Sequence, residues 1–179
     1  MKYYTADYHL GETDLSRLFR PFKTAGEMFT ILLSNHNKIV TDNDTVYMVG
    51  DIISRRADNY DYWLSQITKF KGKKILVCGN HEPKDRSILS KYFDQVVDGI
   101  DDQIGDIKLF VNHFPHLGVP EKFNIVGHVH GSWRIQLNML NVGVDVHHFK
   151  PVSEVEVVKH INTIVSYTDD DIWAYKFKA

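Results

Sequence analysis

The sequence predicts an α/β domain, because short apolar runs alternate along the chain with segments whose apolar residues recur at helical spacing. The composition agrees with a folded domain, since 43% of the residues are hydrophobic and 25% are charged. A chain of 179 residues is long enough for one domain with a substantial core. We therefore expect residues 1–179 to form a single domain.

Strands are predicted where apolar residues run together between turn signals. The first predicted strand lies at residues 3–6, and the second, at residues 45–49, follows a polar turn at residues 41–44. The third, at residues 74–78, has the apolar character of a buried strand. Further strands are predicted at residues 95–97, 107–111, 123–126 and 139–142, with a terminal hairpin at residues 163–167 and 172–177.

Helices are predicted where a capping pair precedes an apolar periodicity. Thr24 and Glu27 form a capping box, in which each side chain satisfies a free main-chain N–H group at the start of a helix. Apolar residues at helical spacing predict a covering helix at residues 58–70. Ser153 and Glu156 form a second capping box, which predicts a short helix late in the chain.

Charge and cysteine content exclude several classes of protein. Lys and Arg total 21 against 23 Asp and Glu, so a net charge of −2 offers no polybasic surface for nucleic acid or anionic lipid. The single cysteine, Cys78, excludes an internal disulfide and a zinc site built from several cysteines, and is typical of a reducing compartment. Residues 1–10 lack the features of a secretory signal, and no apolar run reaches roughly 18 residues, so we expect a cytoplasmic protein without membrane contact.

The sequence contains ten histidines, and imidazole is the commonest transition-metal ligand in proteins. Five predicted strands end directly before Asp, Asn or His residues, and we call these segments the strand-end motifs. The carboxyl ends of strands in open α/β sheets are where ligands bind, so we expect the five motifs to converge. In chain order they are Asp7-Tyr8-His9, Gly50-Asp51, Gly79-Asn80-His81-Glu82, Asn112-His113 and Gly127-His128-Val129-His130.

The residue types in these motifs fit a site for two metal ions. Asp7 and His9, two apart on an expected extended segment, would project to the same side, and His128 and His130 repeat that spacing. Carboxylate, amide and imidazole ligands suit borderline divalent ions such as manganese, iron or zinc. Two such ions sharing a carboxylate would lie ~3.5–4 Å apart and could clamp a phosphoryl group. Their charge exceeds that of two carboxylates, so such a site attracts anions.

The five motifs, in this order, resemble those of the calcineurin-like metallophosphoesterase family. The resemblance implies a fold of two packed mixed β-sheets flanked by helices, and a dinuclear centre with manganese as the first choice of metal and iron, zinc or nickel as alternatives. It makes Asp51 the carboxylate that bridges the two ions. The remaining implied ligands are Asp7, His9 and His130 on one ion and Asn80, His113 and His128 on the other.

The resemblance also implies two residues that act on the phosphate. His81 would protonate the leaving oxygen or bind the phosphate, and Arg55, four residues after Asp51, matches an arginine that many members aim at the phosphate. Ser54 differs from the family, because many members have at this position an Asp that orients the histidine equivalent to His81. A hydroxyl group cannot stabilise an imidazolium as a carboxylate does.

Two further segments resemble a small bacterial and phage-type subgroup of the family. They are Arg20-Pro21-Phe22, after the first strand-end motif, and Asn141-Val142-Gly143-Val144-Asp145, after the last. The resemblance assigns neither segment a role.

These observations predict a phosphodiesterase, in which a metal-bound hydroxide attacks phosphorus in line and His81 assists the departing oxygen of a small or nucleotide-like phosphate ester. The first alternative is a phosphomonoesterase, including one that acts on phosphoproteins, against which Ser54 argues. A second is a non-catalytic scaffold of the same fold, like the retromer subunit, although no ligand is missing here. A third is a DNA nuclease, which the net charge of −2 disfavours. No partner protein is indicated.

The other five histidines need no function to explain them. His36 and His160 are expected at the surface of predicted helices. His116, His147 and His148 lie near predicted strand ends, where each could line a pocket or simply occupy a loop.

Overall fold

The computed structural model describes the backbone of residues 1–168 and the side chains of residues 1–163, in which two five-stranded sheets pack against each other. The strands, in chain order, are β1 (Lys2–Thr5), β2 (Thr45–Val49), β3 (Lys73–Val77), β4 (Gln95–Val97), β5 (Gly99–Ile104), β6 (Ile107–Asn112), β7 (Phe123–Val126), β8 (Ile135–Gln136), β9 (Met139–Asn141) and β10 (Val152–Ser153). The helices are α1 (Ala25–Ile39), α2 (Tyr60–Ser65) and α3 (Glu154–Thr168).

Both sheets are mixed, with a parallel centre. The first has the order β10-β1-β2-β3-β4, in which β1 to β4 are parallel and β10 is antiparallel to β1. The second has the order β5-β6-β7-β9-β8, with β6, β7 and β9 parallel and an antiparallel strand at each edge. Parallel neighbours need crossover connections, and α1 and α2 lie in the connections from β1 to β2 and from β2 to β3. The predicted fold class is therefore confirmed.

The strands of the first sheet are apolar on both faces because each face packs against a different layer. Tyr3 and Met48 point into a core shared with Leu32 of α1. Tyr4 and Tyr47, their neighbours in sequence, point the other way into the core between the two sheets, where their rings stack at 5.1 Å. Because successive side chains of a strand point to opposite faces, one continuous apolar strand contributes residues to both cores.

The predicted capping boxes begin two of the helices. Thr24 Oγ1 accepts a hydrogen bond from the Glu27 N–H at 3.1 Å at the start of α1. At the start of α3 the exchange is reciprocal, since Glu156 Oε2 accepts from the Ser153 N–H at 2.8 Å and Ser153 Oγ accepts from the Glu156 N–H at 3.3 Å. The predicted helix at residues 58–70 is α2 followed by a turn of 3-10 helix at Gln66–Lys69.

Three strands have no counterpart in the sequence-based prediction. β5 has the sequence GIDDQI, in which the alternate residues Asp101 and Gln103 are exposed, and these polar residues interrupt the apolar pattern that predicts a strand. β8 and β10 contain two residues each, too few for a periodic pattern.

The predicted terminal hairpin is wrong in its first strand. Residues 163–167 belong to α3, and residues 172–177 lie outside the part of the chain that the structure describes. The helix that begins at Glu154 continues through this segment, and its earlier turns are fixed by Val157 and Ile161, four residues apart, which both pack into the core between the sheets. Among the described residues, no helix combines the length and apolarity needed to cross a membrane.

The predicted surface position of His36 is also wrong. Its ring is fully buried on the inner face of α1, in line with Met28 and Leu32. Nε2 donates to the Lys71 carbonyl oxygen at 2.9 Å, which leaves Nδ1 to accept from the Tyr8 hydroxyl at 3.0 Å. A buried imidazole is tolerated because both nitrogens have partners.

Candidate metal centre

The loops that follow β1, β2, β3, β6 and β7 meet at one edge of the two sheets. These are the strands that precede the strand-end motifs, and they run parallel within each sheet, so their carboxyl ends face the same way. Seven side chains from the motifs form three overlapping groups, in each of which the candidate ligand atoms lie within 4.8 Å of one another. The groups are Asp7, His9 and His130; His9, Asp51 and His81; and Asp51, His113 and His128.

Asp51 lies at the centre of this arrangement. Its Oδ2 atom is 3.7 Å from His9 Nε2 and 3.6 Å from His113 Nε2. The same oxygen is 3.9 Å from His81 Nε2. These separations are longer than hydrogen bonds, so three imidazole nitrogens surround one carboxylate oxygen without engaging it.

Buried ring nitrogens without hydrogen-bond partners indicate whether these residues could hold a divalent cation. Both ring nitrogens of His9 and Nε2 of His113 are buried and have no hydrogen-bond partner. Such groups cost about 1–3 kcal/mol each when left unsatisfied, which a bound cation would relieve. His113 Nδ1 donates to the Val49 carbonyl oxygen at 2.8 Å, which places the ring proton there and leaves the Nε2 lone pair free on the side of Asp51. The residues therefore fit a divalent metal ion.

The backbone at this site is unusual. The prediction that Asp7 and His9 lie on an extended segment is wrong, because both adopt left-handed backbone conformations, as do His128 and His130. Such conformations cost energy in residues other than glycine and cluster at functional sites. The five residues of the site with positive φ are Asp7 (59°), His9 (49°), Asp51 (55°), His128 (74°) and His130 (47°).

At two positions of the strand-end motifs only glycine fits, because a neighbouring side chain lies very close to the backbone. Gly50 has φ of +79°, and a Cβ atom on it would lie 2.3 Å from His113 Nδ1. A Cβ atom on Gly79 would lie 2.5 Å from Asp51 Oδ1. Any side chain at either position would displace a residue of the site.

Glu82 organises the loops without joining the ligand groups. Its carboxylate accepts hydrogen bonds from the N–H groups of Gly79 at 2.6 Å, Asp51 at 3.0 Å and Ile52 at 3.0 Å. The N–H of His81 in turn donates to Asp51 Oδ1 at 2.8 Å. These bonds join the loop after β2 to the loop after β3, so the motif needs an acidic residue here for structure.

His81 is oriented by the main chain rather than by a carboxylate. Its Nδ1 accepts a hydrogen bond from the Arg55 N–H at 3.1 Å, so the proton of the neutral ring is on Nε2, which faces Asp51. Ser54 Oγ donates instead to the buried Glu12 at 2.9 Å. The ring is thus held ready to donate from Nε2, although the family's usual orienting Asp is absent. The Arg55 side chain is exposed.

Burial and neighbouring charges shift the pKa values of the site. Burial raises the pKa of Asp7 to about 6, against the attraction of His113 and His130. Burial acts in the same direction on Asp51, but the nearby imidazoles of His113, His81 and His9 hold the pKa of its carboxyl below the usual range. For His113, burial is outweighed by Asp51 and Asp7, which raise its pKa to about 9. The two carboxylates therefore favour positive charge between them.

The remaining predicted site residues lie at the rim. Asn80, between Gly79 and His81, has an exposed side chain, and its role as a ligand stays a prediction. His128 is exposed but lies in a ligand group with Asp51. The histidines for which no function is needed lie outside all three groups.

Sequence reasoning did not identify Asp145 as a residue of the site. The ring of His130 donates from Nδ1 to Asp145 Oδ2 at 3.0 Å. The only sequence signal for Asp145 is its place in the segment that resembles the bacterial and phage-type subgroup.

A cavity of about 810 Å³ adjoins the ligand groups, lined in part by His128 and His130. Arg17, Phe19 and Phe149 form part of its wall. Phe19 is 95% exposed and has φ of 53°, so its ring is presented to solvent from a strained backbone.

Comparison with known proteins places this arrangement in a family. The calcineurin-like phosphoesterase family matches residues 4–175. An uncharacterized protein of Methanocaldococcus jannaschii is 26% identical over 171 residues, covering 89% of this chain and 90% of that protein. The gene 66 protein of Mycobacterium phage L5 is 26% identical over 177 residues, covering 80% and 86%.

Among solved structures, a protein of unknown function from Aquifex aeolicus has the same fold, with a TM-score of 0.71 and 24% identity over 89% of this chain and 98% of its own. The family match spans nearly the whole described chain, and the histidines and aspartates of the strand-end motifs meet at one edge of the fold. The protein belongs to the calcineurin-like phosphoesterase family.

Proposed function

We propose that the protein is a phosphodiesterase that depends on two divalent ions, with manganese as the preferred metal, and hydrolyses a small or nucleotide-like diester. The observation that carries the proposal is the Asp51 carboxylate, which belongs to two of the three ligand groups and lies beside buried imidazole nitrogens that have no hydrogen-bond partner. Asp51 would be the carboxylate shared by the two ions. Asp7, His9 and His130 would hold one ion, and Asn80, His113 and His128 would hold the other.

The ions, when bound, supply Lewis-acid charge to the phosphoryl oxygens and activate water for attack on phosphorus. The chain supplies the remaining chemistry. His81 gives its Nε2 proton to the leaving oxygen, in the orientation that the Arg55 N–H imposes on the ring. The exposed Arg55 side chain adds positive charge for the phosphate next to His81.

The position of the cavity supports a diester over a monoester. The His9 ring contacts both His81 and His130, with ring centroids 4.5 Å and 4.9 Å away, but only His130 is among the residues that line the cavity, so the proton donor lies outside it. A diester carries one organic group that departs towards His81 and one that stays on phosphorus. The cavity beside His130 has room for the group that stays.

A paired assay tests this function. Protein stripped of metal and resupplied with Mn²⁺ is tested on bis-para-nitrophenyl phosphate and on para-nitrophenyl phosphate. We expect faster turnover of the diester, and a loss of at least about 100-fold in Asp51→Asn, which removes the bridging charge. Asp98→Asn, which alters an exposed carboxylate paired with Arg86, is the matched control and should retain activity. Faster turnover of the monoester would contradict the diester assignment.

The role of the cavity has its own test. Phe19→Ala removes the exposed ring and should raise KM for an aryl or nucleotide diester by about tenfold, because stacking on an aromatic side chain is worth about 1–3 kcal/mol. The number of bound Mn²⁺ ions should not change. An unchanged KM would mean that the retained group does not occupy this cavity.

A further inference from the structure

The two segments that resemble the bacterial and phage-type subgroup meet behind the metal centre. Arg20 and Asp145, 125 residues apart, form a fork in which Nε donates to Oδ1 at 2.7 Å and Nη2 donates to Oδ2 at 2.9 Å. The Arg20 side chain is 1% exposed and that of Asp145 is 9% exposed. A buried, bidentate pair of this kind has a defined geometry that a surface ion pair lacks.

The same guanidinium also binds the first strand-end motif. Nη1 donates to the Tyr8 carbonyl oxygen at 2.8 Å, and Nη2 donates to the Asp7 carbonyl oxygen. These carbonyls belong to the segment whose left-handed backbone brings the Asp7 and His9 side chains together. Arg20 thus supplies hydrogen-bond donors to two main-chain oxygens of a left-handed segment that lies outside the strands and helices.

Asp145 extends the contact to the third member of the same ligand group. Its Oδ2 accepts from His130 Nδ1 at 3.0 Å, which places the proton of the neutral ring on Nδ1 and leaves Nε2 for a cation. Between them, Arg20 and Asp145 therefore hydrogen-bond to the His130 ring, to the Asp7 carbonyl oxygen and to the carbonyl oxygen of the peptide that joins Tyr8 to His9.

Other hydrogen bonds orient the residues of the second proposed ion site. His113 is oriented by the Val49 carbonyl oxygen, and Asp51 accepts from the N–H of His81. The structure records no hydrogen bond from Arg20 or Asp145 to either of these two residues among its described contacts.

We propose that Arg20 and Asp145 are positioning residues that assemble one ion site selectively, the site of Asp7, His9 and His130, and make no direct contact with Asp51, His113 or His128. This inference rests on the proposed two-ion centre. A buried ion pair that served stability alone would affect both ions alike.

The test counts bound ions rather than activity. Mn²⁺ is titrated into metal-free protein, and free Mn²⁺ is measured by its electron paramagnetic resonance signal. We expect two bound ions in the wild type. In Asp145→Asn one ion should bind as before and the other about 10- to 100-fold more weakly, the usual effect of losing a partner of a ligating histidine. Arg20→Lys should behave in the same way, because one ammonium cannot replace the fork and both carbonyl contacts.

Asp102→Asn is the matched control. The Asp102 side chain is 6% exposed, pairs with Lys2, and accepts from the Tyr4 hydroxyl at 2.6 Å, away from the metal centre. It should lose stability but keep both ions. Two ions of wild-type affinity in Asp145→Asn and Arg20→Lys, or equal weakening of both ions, would overturn the positioning role and leave the metal centre in place. A wild type that binds no ion would refute the proposed function itself.

If the variants do not fold, a measurement on the wild-type protein still tests the positioning role. In a long-range proton–nitrogen spectrum of the metal-free protein, the neutral His130 ring should carry its proton on Nδ1. A neutral ring protonated on Nε2 would overturn the inference.

Discussion

At the scale of single residues, the site depends on backbone conformations that would be unfavourable elsewhere. Left-handed conformations at non-glycine residues cost about 1–3 kcal/mol each and persist only when neighbours impose them. Here the loops impose them on one another, since the Asp7 N–H donates to the Gly50 carbonyl oxygen and the His9 N–H donates to the Asp51 carbonyl oxygen, both at 3.0 Å. The Asp7 carboxylate also accepts from the His128 N–H at 3.1 Å. The loops thus hold one another in the conformation that brings the candidate ligands together.

The role of His81 is tested by removing its ring. His81→Ala should lower kcat for the diester at least about tenfold, because a positioned general acid is worth about 10²–10⁴ in rate. The number of bound ions should stay the same. His116→Ala, which removes an exposed histidine of a nearby loop, should leave kcat unchanged. If His81→Ala instead lost an ion, His81 would be a ligand beside His9 and Asp51, with which it forms a group.

At the scale of elements, α1 is fastened by a polar contact as well as by its apolar face. His36 joins this helix to Tyr8 in the loop after β1 and to the Lys71 carbonyl before β3. Tyr8 lies between two candidate ligands, so the helix supports the loop that carries them. The packing of α1 therefore bears on the site as well as on the core.

The buried position of His36 predicts a dependence of stability on pH. Burial lowers the pKa of His36 from 6.5 to about 4, although its bond to Lys71 opposes this and the charge of Lys74 adds to it. Between these two pKa values the His36 ring is protonated in the unfolded chain but neutral in the folded chain. The contribution of His36 to the free energy of unfolding is therefore fully present above pH 6.5 and is lost as the pH decreases. The loss reaches about 3 kcal/mol at about 1.4 kcal/mol per unit.

Urea unfolding of the metal-free protein between pH 7 and pH 4 measures this loss. His36→Gln keeps a donor and an acceptor without the titration, so its free energy of unfolding should fall less steeply with decreasing pH. The difference in slope between the two proteins isolates His36 from other titrating groups. Equal slopes would show that His36 does not titrate differently in the folded and unfolded chains.

At the scale of the whole molecule, the candidate metal centre lies where the two sheets meet. Asp7 and Asp51 follow strands of the first sheet, whereas His113, His128 and His130 follow strands of the second. Each of the outer ligand groups takes members from both sheets. A cation held there would connect the two layers in addition to the core between them.

Metal binding should therefore stabilise the fold. A ligand that binds only the folded chain, present at 100 times its Kd, adds about 2.7 kcal/mol, which for a domain of this size raises Tm by about 5–10 °C. Mn²⁺ should produce this shift in the wild type, measured by differential scanning calorimetry, and a chelator should reverse it. Asp51→Asn should show a much smaller shift. Equal shifts in both proteins would place the stabilising ion elsewhere.

Several local features of the molecule can be predicted from the amino-acid sequence. The strands at residues 45–49, 95–97 and 123–126, both capping boxes and the order of the strand-end motifs follow from neighbouring residues, because periodicity, capping and turn chemistry act over a few positions. The meeting of the motifs at one edge was also predictable, since parallel strands present their carboxyl ends together.

Features that depend on residues far apart in the chain follow from the packing of the folded molecule and not from local patterns. The edge strand β5, the burial of His36 and the course of α3 depend on which layer each segment packs against. The left-handed backbone at Asp7 and His9 is imposed by the loop after β2. The contact of Arg20 with Asp145 spans 125 residues, and no local rule links two positions at that separation, because their proximity arises only when the two sheets have packed.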